Sequence, residues 1–107
     1  MPSRGSTLLE LAVERGGYRK GTRVAVFVEQ WVLVQQALGR PPATVEEAAA
    51  WWHEQPRQWY RRLAEFRELF PDHRTPSTIA GHIIDQANGR ELERGSVLGQ
   101  LATLTAS

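Results

Sequence analysis

The sequence contains no cysteine, only one lysine and no long apolar run. Without cysteine, neither a disulfide framework nor a thiolate metal site can form, and such a chain suits a reducing compartment, so we expect a cytoplasmic protein. No stretch approaches the roughly 18 consecutive apolar residues of a membrane-spanning helix. Glu10 also precedes any apolar run that would act as a signal peptide. We therefore expect neither a membrane span nor a secretory leader.

Lysine is scarce because arginine supplies almost all of the positive charge. Of the 13 basic residues only Lys20 is a lysine, and since arginine codons are mostly GC-rich, this skew indicates a GC-rich bacterial genome. The net charge is only +1, which is low for a protein that coats nucleic acid indiscriminately. Any nucleic-acid site must therefore arise from the local arrangement of charge.

Helix signals begin near the N-terminus. Thr7 and Glu10 form a capping-box pattern, which predicts a helix over residues 7–15 that ends at Gly16-Gly17. The polar stretch that follows, residues 18–21, is expected to be a flexible link.

A longer apolar pattern occupies residues 22–38. Apolar side chains recur there at spacings of three and four residues, and Gly39 ends the pattern. The β-branched residues between positions 24 and 28 are also compatible with a strand, but the segment exceeds the usual strand length. We therefore predict a second helix.

The rest of the chain also carries helix signals. The proline and capping residues predict helices over residues 45–52, 56–70, 76–88 and, more weakly, 97–104. After Phe70 no alternating strand pattern with a glycine turn appears, so no β-hairpin wing is expected. The sequence predicts one all-α domain, residues 1–107, built as a bundle of about five helices.

Residues 44–63, TVEEAAAWWHEQPRQWYRRL, place two helices on either side of a short turn. The segment resembles the helix-turn-helix motif of bacterial transcriptional regulators. Ala49 stands at the small-residue position where the two helices cross. Two residues depart from the pattern: His53 stands where the turn usually has glycine, which requires a left-handed backbone, and Glu54 replaces an apolar residue. The usual buried positions are occupied by Trp52, Trp59 and Leu63.

This resemblance implies that residues 44–70 form a helix-turn-helix unit whose second helix enters the major groove of double-stranded DNA. Arginine can bind guanine through two hydrogen bonds and glutamine can bind adenine. The predicted base contacts are Gln55, Arg57, Gln58 and Arg61. The predicted phosphate contacts are Thr44, Tyr60 and Arg62, together with Arg19, Lys20 and Arg23 in a flexible arm.

The same charges also fit a simpler interpretation. Glu65 and Glu68 lie three or four residues from Arg61 and Arg62, so these cations also fit a solvated helix face. The basic stretch from Arg15 to Arg23 also fits a solvated linker.

The C-terminal helices, residues 76–107, carry more apolar side chains than one small core needs, which predicts a homodimer. The expected interface residues are Ile79, Ile83, Val97 and Leu101. The alternative function is a helical adaptor that binds a protein partner through Trp51, Trp59 or these C-terminal helices. We expect Trp52 to face the core, whereas Trp51 packs on the next helix or is partly exposed, in which case it marks an interface.

Signals for catalysis are missing. The three histidines, His53, His73 and His82, lack the spacing of a metal-binding helix, and there is neither a glycine-rich phosphate loop nor a serine nucleophile elbow. We expect no enzyme activity, no cofactor and no bound metal.

Overall fold

A computed structural model describes residues 6–100. Within this range the fold is all-α, as the sequence predicts. No helix in this part of the chain is both long enough and apolar enough to cross a membrane. The elements in chain order are α1 (Leu8–Leu38), α2 (Val45–Trp51), α3 (Pro56–Leu69), α4 (Ser77–Ala87) and a single 3-10 turn (Val97–Gly99).

Helix α1 begins at the predicted capping box. The Thr7 hydroxyl accepts a hydrogen bond from the Glu10 amide at 3.1 Å, while the Glu10 carboxylate accepts one from the Thr7 amide at 3.3 Å. Gly17 has φ 83° and ψ 171°, so α1 bends sharply there instead of ending. Gly39, with φ 72°, terminates the helix as predicted.

The prediction of a flexible link at residues 18–21 is wrong, because these residues are helical. Gly17 alone absorbs the change of direction, and the chain resumes helical geometry at the next residue. Within this helical stretch the Thr22 hydroxyl donates to the carbonyl of Tyr18 one turn earlier, at 2.5 Å. The predicted arm carrying Arg19, Lys20 and Arg23 is therefore part of a packed helix.

The segments of α1 before and after the bend at Gly17 approach each other closely. A Cβ atom at Gly21 would lie 2.4 Å from the carbonyl oxygen of Ala12 and equally close to the Cα atom of Val13. Only glycine fits such a contact between backbones. The bend at Gly17 and the missing side chain at Gly21 together let α1 fold back on itself.

The core lies where α1 packs against α3 and α4. At its centre are three fully buried aromatic side chains, Phe27, Trp31 and Trp59. The ring centroids of Phe27 and Trp59 are 5.2 Å apart in an edge-to-face arrangement, a geometry that adds to the gain from burial. Phe66 and Phe70 stack at 5.2 Å near the end of α3.

Residues 70–76 form turns that lead directly into α4, so no hairpin follows α3 within the described chain. The weak helix signal at residues 97–104 corresponds to only one 3-10 turn in its described part; the remainder lies outside the described residues.

The predicted dimer interface is corrected by the burial of its residues. Ile79, Ile83 and Val97 are at most 2% exposed and belong to the core of this chain. The apolar residues that the sequence has in apparent excess cover α1, because its long buried face needs α4 and the 3-10 turn as partners. Leu101 lies outside the described residues.

Candidate nucleic-acid interface

Helices α2 and α3 enclose a compact turn. The Thr44 hydroxyl accepts a hydrogen bond from the Glu47 amide at 3.0 Å and so caps α2. Ala48 and Ala49 are completely buried. Thr44 was predicted to contact phosphate; its side chain is exposed at the start of α2 but its oxygen already serves the cap.

The turn between the helices is closed by backbone hydrogen bonds. His53 has φ 57°, which confirms the left-handed backbone expected at this position. Its amide donates to the carbonyl of Ala50 at 3.0 Å, and the amide of Glu54 donates to the carbonyl of Ala49 at 2.9 Å. The chain thus reverses within residues 52–55 and enters α3 at Pro56.

Glu54 is half-buried and has three side-chain partners. One carboxylate oxygen accepts from Nε1 of Trp59 at 2.8 Å, from Arg62 at 3.0 Å and from Gln30 at 3.3 Å. Partial burial alone would raise the pKa of Glu54, but the hydrogen bonds from Arg62 and Trp59 outweigh it and hold the pKa below its usual range. Arg62, a predicted phosphate contact, is therefore directed toward the turn.

The four predicted base contacts share one property: each side chain is exposed and has no hydrogen-bond or ion-pair partner within residues 6–100. Arg57 and Arg61 are one helical turn apart, opposite the buried Trp59 and Leu63. The first two turns of α3 thus present free donors and acceptors to solvent. The four residues are Gln55, Arg57, Gln58 and Arg61.

Tyr60 lies beside this face and connects it to α2. Its hydroxyl donates to the carboxylate of Glu46 at 2.6 Å. This hydrogen bond lowers the pKa of Glu46 and raises that of Tyr60. Tyr60, a predicted phosphate contact, is exposed but already paired, and it brings one negative charge to the edge of the face.

The second group of cations lies on α1 along the C-terminal half of α3. Lys20 forms an ion pair with Glu68, and Arg23 forms one with Glu65 at 2.7 Å. Arg19 is exposed and has no partner in the described part of the chain. Of the six predicted phosphate contacts, Arg19 is thus the one whose side chain makes no intramolecular hydrogen bond there.

A groove that the sequence did not predict lies behind the turn. It has a volume of about 640 Å³ and is lined by the C-terminal half of α1, the end of α2 and residues 89–94. Trp51, 43% exposed, meets the half-buried Trp52 edge to face at 5.4 Å, and the Arg94 guanidinium lies 4.6 Å from the Trp52 ring centroid. The Trp51-Trp52 pair was the only sequence signal for it, because Arg94 is distant in the chain.

The described residues contain no group of three or more acidic or histidine side chains that would hold a metal ion. No known protein family, curated protein or solved structure matches this chain.

Proposed function

We propose that this protein binds double-stranded DNA with α3 in the major groove, as a small bacterial transcriptional regulator would. The observation that carries the proposal is the exposed, unpartnered set on the first two turns of α3, namely Gln55, Arg57, Gln58 and Arg61. These are the residue types that read guanine and adenine edges.

The lack of hydrogen-bond and ion-pair partners for these side chains within residues 6–100 lowers the free-energy cost of binding DNA. Arg57 and Arg61 give up only water when they contact a base, whereas Arg62 would first have to leave the Glu54 carboxylate. A charge-assisted hydrogen bond is among the stronger ones in proteins, so breaking it offsets much of the gain from a phosphate contact. The arginines with the lowest cost of binding are thus the two that project away from the core.

The surroundings hold α3 rigidly. The Glu54 carboxylate joins the turn to Trp59 on α3 and to Gln30 on α1, while Tyr60 and Glu46 join α3 to α2. A recognition helix fixed on three sides loses little freedom on binding, which favours selective contacts.

Binding through this face would depend only weakly on salt. Counterion release scales with the number of phosphates that are neutralised, and Lys20, Arg23 and Arg62 are already paired with carboxylates. We infer that base contacts and Arg19, rather than a broad cationic surface, supply the affinity.

The alternative, a helical adaptor for a protein partner, has one observation in its favour, the exposed Trp51. Its other proposed contacts are weakened by burial: Trp59 is in the core, and so are Ile79, Ile83 and Val97. A homodimer would also need a surface other than these residues. DNA binding through α3 is therefore the better-supported function.

The test is selection of duplexes by the purified full chain from a random pool at two salt concentrations, followed by affinity measurement on the enriched sequence. Arg57→Ala and Arg61→Ala should each cost about 1–3 kcal/mol of binding free energy and relax selectivity at one base position. Arg74→Ala is the matched control, because Arg74 is exposed in the turn before α4 and its side chain has no partner in residues 6–100.

Two results would contradict the proposal: no duplex is retained at low salt, or Arg74→Ala weakens binding as much as the α3 variants do. Enriched half-sites spaced about one helical turn apart would indicate a dimer.

A further inference from the structure

The groove behind the turn has a preformed wall. Gln36 on α1 donates to the carbonyl of Arg90 at 2.8 Å and accepts from the amide of Leu92 at 2.7 Å. Glu29, also on α1, accepts from the amide of Gly95 at 2.8 Å. The segment from 90 to 95 is therefore fixed on α1, and this wall of the groove is held in place by hydrogen bonds.

The opposite wall is aromatic. Trp51 and Trp52 end α2 and meet at nearly a right angle, with an interplanar angle of 70°, and Leu33 and Ala37 of α1 complete the apolar lining. The volume of about 640 Å³ falls within the roughly 300–1,000 Å³ typical of small-molecule sites. Two aromatic side chains at this angle favour a ligand with an aromatic ring, which can pack against one of them.

One negatively charged and one positively charged side chain line the groove. Glu91 and Arg94 are three residues apart in the fixed segment, and neither side chain has an ion-pair partner within residues 6–100. The Arg94 guanidinium lies over the face of Trp52, an arrangement that leaves its N–H edge free to bind a carboxylate. The Glu91 carboxylate is a matching acceptor for an ammonium group.

We propose that this groove binds a free amino acid with an aromatic side chain. Arg94 binds the α-carboxylate, Glu91 binds the α-ammonium group, and the ring packs between Trp51 and Leu33. The opposite charges of Glu91 and Arg94 favour a ligand that carries both an ammonium group and a carboxylate. Glu91 would repel a purely anionic ligand, and Arg94 would repel a purely cationic one. The proposal does not depend on DNA binding.

The indole N–H groups provide a direct test in the full chain. Trp31 and Trp59 are buried, their Nε1 atoms donate to Ser77 and Glu54, and neither ring lines the groove, whereas Trp51 and Trp52 do. Titration of ¹⁵N-labelled protein with L-phenylalanine should shift the Trp51 and Trp52 signals until one ligand is bound per chain, and leave the other two in place. Single Trp→Phe variants assign the four signals.

Two analogues test the two charges. 3-Phenylpropionate lacks the ammonium group and phenethylamine lacks the carboxylate, and each should bind at least about tenfold more weakly than L-phenylalanine because one charge-assisted hydrogen bond is lost. Arg94→Gln should weaken binding of 3-phenylpropionate and leave phenethylamine unaffected, and Glu91→Gln should do the reverse. A merely structural role for either residue would affect both analogues alike.

Arg74→Gln and Glu93→Gln are the matched controls, since neither residue lines the groove, and both should bind L-phenylalanine as the unaltered chain does. The proposal fails if the Trp51 and Trp52 signals do not move up to the solubility limit of L-phenylalanine, or if the analogues bind as tightly. It also fails if those signals shift with protein concentration alone, which would place a second copy of the chain in the groove.

Discussion

The carboxylate of Glu54 accepts a hydrogen bond of 2.8 Å from the indole nitrogen of Trp59, a side chain that is completely buried. Glu54 precedes α3 and Trp59 lies one turn inside it, so this contact fixes the direction in which α3 leaves the turn. The same oxygen accepts from Gln30 of α1. A half-buried acid is accommodated here because its hydrogen-bond partners satisfy it.

Replacing Glu54 by alanine should lower the free energy of unfolding by about 1–3 kcal/mol, because the buried Nε1–H of Trp59 then has no acceptor. Urea unfolding followed by tryptophan fluorescence measures the change. Glu54→Gln keeps an oxygen acceptor for Trp59 and loses only the charge opposite Arg62, so it should cost less than the alanine variant. Equal stability of Glu54→Ala and the unaltered chain would show that the hydrogen bond does not hold α3.

Local signals predicted the helices well. A capping box at Thr7, a side-chain cap at Thr44 and the proline at position 56 begin helices in the structure where the sequence signals predict them, because each signal involves residues only one turn apart. The stretch at residues 18–21 was mispredicted, since a pair of glycines has the same local signature whether a helix ends or bends.

Such local signals could not predict contacts between residues that are distant in the sequence. The solvent-facing positions of Arg57 and Arg61 follow from helical periodicity, but Lys20 meets Glu68 across 48 residues of sequence. The sequence identified Glu68 only as a partner within α3. Burial of Ile79 and Ile83 likewise depends on where α4 packs, and no local pattern separates a core face from a dimer interface.

The close approach at Gly21 predicts a strong response to a single methyl group. Gly21→Ala should destabilise the fold by about 2 kcal/mol or more, because the new Cβ would meet the backbone of Ala12, which cannot move aside as a side chain would. Thermal unfolding followed by circular dichroism measures the loss.

Gly81→Ala is the matched control, because Gly81 is inside α4 and the nearest atom to its added Cβ, the side-chain nitrogen of Gln35, is 3.8 Å away. This variant should stabilise the protein by up to about 1 kcal/mol through its higher helix propensity. Equal effects of the two substitutions would refute the argument from close approach.

The proposed DNA contact predicts that Glu46 weakens binding. Its carboxylate, held by the Tyr60 hydroxyl, lies beside the face of α3 and would repel phosphate. Glu46→Gln should tighten binding to the selected duplex about fivefold at low salt, the size expected for one solvent-exposed charge a few ångströms away. Titrations at two salt concentrations should show the gain shrinking at high salt.

Asp85→Asn removes one negative charge from an exposed site on α4 and serves as the control for net charge. If it tightens duplex binding as much as Glu46→Gln, the effect reflects overall charge and not the position of Glu46.

Glu47, in the first turn of α2, makes the stability of the fold depend on pH in the acid range. Hydrogen bonds from Arg40 and from the Ala43 amide lower the pKa of Glu47 from 4.5 to about 2. Because the carboxylate is more acidic in the folded chain than in the unfolded one, ionised Glu47 stabilises the fold above pH 4.5. This contribution is lost as the pH falls from 4.5 toward 2.

Glu47→Gln should therefore be less stable than the unaltered chain at neutral pH, and the difference should disappear as the pH approaches 2. Urea midpoints measured at intervals across this range test the sign as well as the effect. Glu14→Gln removes an exposed acid of α1 that has no ion-pair partner within residues 6–100 and should show no such convergence. A stability gap for Glu47→Gln that stays constant down to pH 2 would mean that the loss comes from helix capping and not from the charge opposite Arg40.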